Sequence, residues 1–390
     1  MSELSLLFLL LPVAAFSGWY VARRGSERTS GARVSELSSN YFRGLNYLLN
    51  EQQDKAIEVF LKLAEYNRDT VETHLALGNL FRRRGEVDRA IRVHQSLIAR
   101  TSLTDEEKTV ALLELGEDYM RAGLLDRAET LFTDLVTMDA LASSALTHLV
   151  SIYQHERDWN KAIDNATRLE AATGESCGSL IAQFHCELAE QARARRDWDE
   201  ARRCLDAALA AEDDCVRASM ILGHIEAAND NLDAAIEAFE HVAERDVDYV
   251  PEILSPLLDC YARAHQMQRA EEFLLRMTER HQGVSPVLAL AGLYTRTKGE
   301  KAAVEFLTRQ LHQRPSVRAL MALIDANLHT AQGEARESLL IQRDLTRKLL
   351  EGQAMYRCTR CGFGAKAHHW QCPSCKNWST IRPIHSVVGE

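Results

Sequence analysis

An all-α solenoid of stacked helical hairpins, led by an apolar N-terminal segment and closed by a small cysteine ribbon, is the architecture this sequence predicts. Three observations point to it. An alanine recurs at steps of 33 to 39 residues through the middle of the chain, a charge-free run opens it, and two C-x2-C knuckles lie near its end. Composition agrees. The chain has 390 residues with 46% hydrophobic and 26% charged side chains, and only 7 prolines and 19 glycines. That length suits two or three units with ordinary cores, in a composition that favours helix.

The opening run, Leu4 to Ala22, reads LSLLFLLLPVAAFSGWYVA. Its helical length of about 28 Å just matches a bilayer core. Trp19 and Tyr20 sit where amphipathic rings favour the lipid–water interface, and Arg23, Arg24, Arg28 and Arg33 follow. A cleaved signal peptide carries its positive charges before the apolar run, and a buried soluble helix is normally interrupted by polar residues. Residues 1–22 are therefore expected to be a single-pass anchor in membrane lipid. Positive charge after the span puts the N-terminus outside and the rest, beginning with a linker at 23–36, in the cytoplasm.

The recurring residues are Ala56, Ala90, Ala128, Ala162, Ala201, Ala235, Ala270 and Ala303. Other positions keep step with them. Twelve residues earlier stand Gly44, Gly78, Gly116 and Gly223; nine earlier stand Tyr47, Phe81, Tyr119, Tyr153, Tyr261 and Tyr294; four later stand Phe60, Phe132, Leu205, Phe239, Leu274 and Leu307. Small residues let two helices approach, and large ones fill the space between hairpins. A period near 34 with this pattern is the tetratricopeptide signature. About eight repeats are expected over residues 37–317. Departures are His94, Ala166, Ala192 and Glu226. Turn material falls at Arg84-Gly85-Glu86, Ala122-Gly123 and Asn229-Asp230-Asn231. Residues 318–352 read as a capping helical pair. Such arrays present extended faces to protein partners, and phase turns Asn79, Arg82 and Arg83 toward that face.

The nine cysteines form two populations. Cys177, Cys186, Cys204, Cys215 and Cys260 are scattered, as small buried hydrophobes in a reducing compartment are. Cys358, Cys361, Cys372 and Cys375 read C-x2-C-x10-C-x2-C. Four thiolates at this spacing converge on one tetrahedral ion, and both zinc and iron suit them. Gly362 and Pro373 permit the tight turns. The ribbon, residues 353–390, is too short to fold on apolar burial alone, so the ion would supply much of its stability. Tyr356, Phe363, Trp370 and Trp378 are expected in its small core or on a docking face. His368 and His369 lie between the knuckles, but four cysteines already complete the shell.

The net charge of −10 argues against nucleic acid as a partner, although the segment from Tyr356 onward is locally basic. No phosphate loop, dinucleotide fingerprint, H-E-x-x-H or G-x-S-x-G is present, and no enzyme activity is expected.

The order of these three parts, with LLFLLLPVAA at 6–15, NYLLNEQQDKAIEVF at 46–60, LGNLFRRRGEVDRAIRVHQ at 77–95, YRCTRCGF at 356–363 and CPSCKNWSTIRPI at 372–384, resembles the bacterial lipopolysaccharide assembly protein B family. The resemblance covers nearly the whole chain. It implies a rubredoxin-like ribbon with Cys358, Cys361, Cys372 and Cys375 as ligands, usually to iron; Lys376 stands where rubredoxins usually have glycine. It also implies an inner-membrane protein with its bulk in the cytoplasm, a periplasmic N-terminus and a role in controlling lipopolysaccharide levels. The implied partners are an FtsH-type membrane protease, the lipid A pathway deacetylase that the protease degrades, and an opposing inner-membrane lipopolysaccharide sensor protein. Two other roles stay open at this point: an assembly platform for lipopolysaccharide enzymes or transport proteins, and an iron redox protein. Self-association also stays open.

Overall fold

A computed structural model shows helical hairpins up to residue 350 and a small antiparallel sheet after them. The structure describes residues 42–44, 46, 47, 50, 52–66 and 71–390. The expected anchor, with Trp19, Tyr20 and its arginines, and the linker lie outside the described residues. Among the described residues no helix is long and apolar enough to cross a membrane. Two compact units divide the chain. One comprises residues up to Asp158 together with Ala171–Thr173; the other comprises Trp159–Glu170 together with Gly174–Glu390.

The described helices of the first unit are α1 (Gln53–Tyr66), α2 (Val71–Arg83), α3 (Val87–Ile98), α4 (Asp105–Arg121), α5 (Leu125–Thr137) and α6 (Ala142–Glu156). The second unit holds most of α7 (Trp159–Thr173), then α8 (Gly178–Ala194), α9 (Trp198–Ala211), α10 (Val216–Ala228), α11 (Leu232–Arg245), α12 (Val250–Arg263), α13 (Met267–Arg280), α14 (Ser285–Thr297), α15 (Glu300–Gln313), α16 (Val317–Leu328) and α17 (Gly333–Leu350). Local chemistry sets several boundaries. At α4, Thr104 Oγ1 accepts the Glu107 N–H while Glu107 accepts the Thr104 N–H, satisfying two orphan donors reciprocally. Asp197 and Ser316 cap α9 and α16 from their side chains.

The periodic positions meet one another. A Cβ on Gly116 would stand 2.5 Å from the Phe132 ring, one on Gly223 2.7 Å from Phe239, and one on Gly44 2.8 Å from Phe60. In these three repeats the glycine twelve residues before the alanine is thus the floor on which the ring four residues after it lies. His94 takes the ring position over Gly78, where a Cβ would be 2.2 Å from its Nε2. Its Nδ1 lies 2.6 Å from Asp118 Oδ2, with both side chains fully buried.

Successive hairpins are tied by the position nine residues before the alanine. Tyr119 accepts from Gln95 at 2.9 Å, Tyr153 donates to Glu129 at 2.7 Å, and Tyr261 donates to Glu240. Glu226 is no gap in this series. Its carboxylate takes Arg202 at 2.8 Å, so donor and acceptor have exchanged ends of one inter-repeat contact. The Arg202 guanidinium, opposed by partial burial, holds the Glu226 carboxyl below the usual carboxylate range. First helices pack on first helices, α2 on α4 in one unit and α8, α10, α12, α14 and α16 in turn in the other.

Among the described residues, six hairpin turns each use one left-handed residue: Gly85, Gly123, Arg196, Asp230, His265 and Gly299, all with φ between 57° and 89°. Only the glycines and Asp230 signalled this in the sequence. Arg82, expected on the open face, is instead absorbed into the array. It binds Glu114 at 2.6 Å, Asp118 at 2.7 Å and Glu117 at 2.8 Å, and Asn79 donates to Glu114. Arg83 remains exposed.

The glycine floor yields a paired test. Gly116→Ala should destabilise the protein by about 1–3 kcal/mol through overpacking against Phe132. Gly292→Ala, with nothing within 4 Å of the new methyl, should be neutral or stabilising by about 0.5–1 kcal/mol. Urea denaturation followed by circular dichroism distinguishes the two.

Candidate metal centre and its seat on the array

Three short strands build the ribbon: β1 (Tyr356–Cys358), β2 (Gly364–Ala365) and β3 (Ile381–Pro383). The order is β2-β1-β3, antiparallel, with Tyr356 opposite Ala365 and Cys358 opposite Ile381. Its core is Tyr356, Cys358, Ala365, Cys372 and Ile381.

All four predicted sulfurs come together. Those of Cys358, Cys361, Cys372 and Cys375 lie within 4.8 Å of one another. Cys358 and Cys375 are 3.7 Å apart, as are Cys361 and Cys372. Sulfurs about 2.3 Å from a tetrahedral ion stand roughly 3.8 Å apart, so the donor set fits a single zinc or iron ion, and distance does not separate the two metals. The two knuckles repeat one geometry. The N–H of Gly362 donates to the Cys358 carbonyl at 3.0 Å, and that of Lys376 to the Cys372 carbonyl at 2.9 Å. Gly362 has φ +79° and Lys376 φ +58°. The lysine therefore occupies a left-handed position that glycine adopts without strain.

Hydrogen bonds favour thiolates here. The Thr380 hydroxyl, 3.4 Å from Cys358 Sγ, and the Cys361 and Arg360 amides bring the Cys358 thiol down to about 6. The Asn377 amide lowers that of Cys375. Desolvation acts oppositely on Cys372, raising it to about 11. A bound cation would reverse that last effect, because a coordinating thiol is deprotonated outright.

The ribbon is seated on the second unit across the starts of successive first helices. Buried Arg217, near the start of α10, lies under both Trp370 and Trp378, 5.6 and 5.5 Å from their ring centres. Glu187 and Gln183 of α8 hold the guanidinium from below. Trp378 also meets Trp159 and Phe184 edge-on, and Trp370 stacks on Tyr249. Arg382 covers the Tyr249 ring and pairs with Asp246, while Tyr356 donates to Glu252 at the start of α12. The chain end locks the seat. Glu390 is buried, its carboxylate accepting the Ser285 N–H at the N-terminus of α14 and binding Arg318 of α16. An anion at a helix N-terminus is stabilised by the helix dipole.

Sequence reasoning placed Tyr356, Trp370 and Trp378 correctly but not Phe363, which is exposed. Its carbonyl accepts the Cys358 N–H and its ring leaves the seat. His368 proves to be part of the seat, half-buried among Tyr249, Tyr356 and Trp370 with Nε2 unpartnered. Burial pushes its pKa down to about 4. Arg217, Tyr249, Asp246, Glu252 and Glu390 were not anticipated. The one available signal was Arg217, a charge in the otherwise apolar run VRASMILG.

A rubredoxin metal-binding domain model matches residues 356–383, and tetratricopeptide repeat models match residues 73–109 and 186–249. The chain is 42% identical over 387 residues to lipopolysaccharide assembly protein B of Escherichia coli K12, covering 99% of this chain and all of the relative. It is 36% identical over 390 residues to the Haemophilus influenzae protein of the same name, covering 98% of each. Among solved structures, the C-terminal part of a repeat protein from Cytophaga hutchinsonii is 14% identical with a TM-score of 0.41, covering 68% of this chain and 98% of that one.

Two outcomes are expected. Stripping metal with a chelator, or Cys372→Ser, should release the ribbon: Trp370 and Trp378 fluorescence shifts red while helical circular dichroism persists. A concerted loss of helix would contradict this. Acidification should act on His368. A buried neutral histidine with a depressed pKa loses stability as pH falls below its unfolded value, about 6.5, toward about 4. His368→Phe should flatten the undocking profile across that window when both proteins hold the same metal.

Proposed function

The chain belongs to the lipopolysaccharide assembly protein B family, and on that premise we propose that it is an inner-membrane adaptor limiting lipopolysaccharide synthesis. In this reading the N-terminal segment anchors it with the bulk of the chain in the cytoplasm. The array brings the committed-step lipid A deacetylase to an FtsH-type membrane protease, and an inner-membrane lipopolysaccharide sensor protein opposes the effect. Cys358, Cys361, Cys372 and Cys375 hold one ion, iron by family resemblance or zinc, in a structural role.

The observation that carries the reading is the pairing of a recognition array with a four-sulfur ribbon seated across the starts of α10, α12 and α14. A closed thiolate shell has no position for substrate or water. Its physical use is to hold a ribbon, and the ribbon in turn bridges helices that otherwise touch only their neighbours. Depleting the protein should lengthen the half-life of the deacetylase. An unchanged half-life rejects the adaptor role.

The relatives' name favours a second reading, a platform for lipopolysaccharide assembly. It predicts stable co-purification with several enzymes or transport proteins of that pathway and no change in any half-life. A redox role requires iron with a reversible absorption spectrum, and stoichiometric zinc in the native protein excludes it.

A further inference from the structure

The hairpin α16/α17 ends the described stack. A terminal helix of a solenoid ordinarily shows a polar outer face, because no further repeat covers it. Helix α17 does not. Ile341, Leu345 and Leu349 are 63%, 58% and 61% exposed. Spaced four residues apart, they form a single stripe along the helix. Thr346, on another side, is the helix's buried residue. Three large aliphatics in line are more than the isolated surface leucines of an ordinary protein.

We propose that this stripe is a self-association face, on which α17 of a second copy packs antiparallel with Leu345 at the two-fold axis. The flanking charges select this occupant and this direction. About that axis each residue k places after Leu345 faces the residue k places before it in the partner. Ile341 then meets Leu349, and Leu345 meets itself. Lys348 and Asp344 lie on the same flank of the stripe. The two-fold sets Lys348 of one copy about 3 Å along the axis from Asp344 of the other, twice over. Lys348 has no acidic partner among the described residues, and Asp344 has only the exposed Arg347 of its own helix, at 3.2 Å. The opposite flank, with Ser338 and Gln342, is uncharged. A parallel pair would instead set this charged flank against the uncharged flank of the partner, with Ser338 and Gln342, and Lys348 would gain no carboxylate. An interface built on one helix is weak in dilute solution, and two chains held on one membrane would meet at much higher effective concentration.

Single cysteines in the full-length, metal-loaded chain in detergent test the register, with a short bismaleimide as crosslinker. Leu345→Cys should form covalent dimers well above the unsubstituted chain. Ile341→Cys and Leu349→Cys should link poorly to themselves but efficiently to each other when mixed. Lys348→Asp should cut the Leu345→Cys yield severalfold, and adding Asp344→Lys should restore it. Circular dichroism of each variant checks that these exposed substitutions leave the fold intact. Self-linking at all three positions would mean parallel pairing and overturn the proposal. So would a Leu345→Cys yield no higher than that of Arg203→Cys, an exposed site away from the stripe. Stripe-dependent binding to anionic vesicles by a chain that stays monomeric would also overturn it.

Discussion

Several hairpins of the array close because a residue lacking a side chain lies where a ring from the facing helix must pass. Gly44, Gly116 and Gly223 lie under Phe60, Phe132 and Phe239 at distances that leave no room for a methyl group. This contact brings the two helices of a repeat to one spacing. The spacing puts the next hairpin at a defined offset, and from that offset follow the ties between repeats. In the second repeat a histidine takes the place of the ring, supported by polar chemistry. His94 over Gly78 carries its own buried carboxylate, Asp118, which also anchors Arg82. A buried group of this kind is tolerable only when paired, and removing one partner strands the other.

The ribbon depends on the array differently. Its sheet is three short strands, and its core contains two of its own cysteines. An ion would hold it from within, while the seat holds it from without. The seat is mostly aromatic and cationic. One guanidinium lies beneath two tryptophans, a second over a tyrosine, and a carboxylate at the chain end caps a helix. These contacts span α8 to α16, so the ribbon is coupled to several hairpins at once.

Much of the site was legible beforehand because metal chemistry is written in spacing. Two C-x2-C knuckles admit few arrangements, and the four sulfurs converge. The seat was not legible, because Arg217 and Trp378 are 161 places apart along the chain and become neighbours only through the stacking of intervening hairpins. Lys376 shows the boundary between the two. Its departure from glycine was visible in the sequence, but its left-handed backbone appears only in the folded knuckle.

The sequence by itself determined the repeat length, the glycine and ring positions, the tetrad of thiols and the capping pair, since each is a local or periodic pattern that short-range sterics and coordination chemistry enforce. Tertiary structure alone decided that Glu226 substitutes for a tyrosine by binding Arg202, and that Arg82 is consumed inside the array. It also decided that the ribbon lies on the helix starts of the second unit and that α17 ends the stack with an apolar face. Those outcomes depend on which distant side chains the packing brings within reach, and no local pattern carries that information.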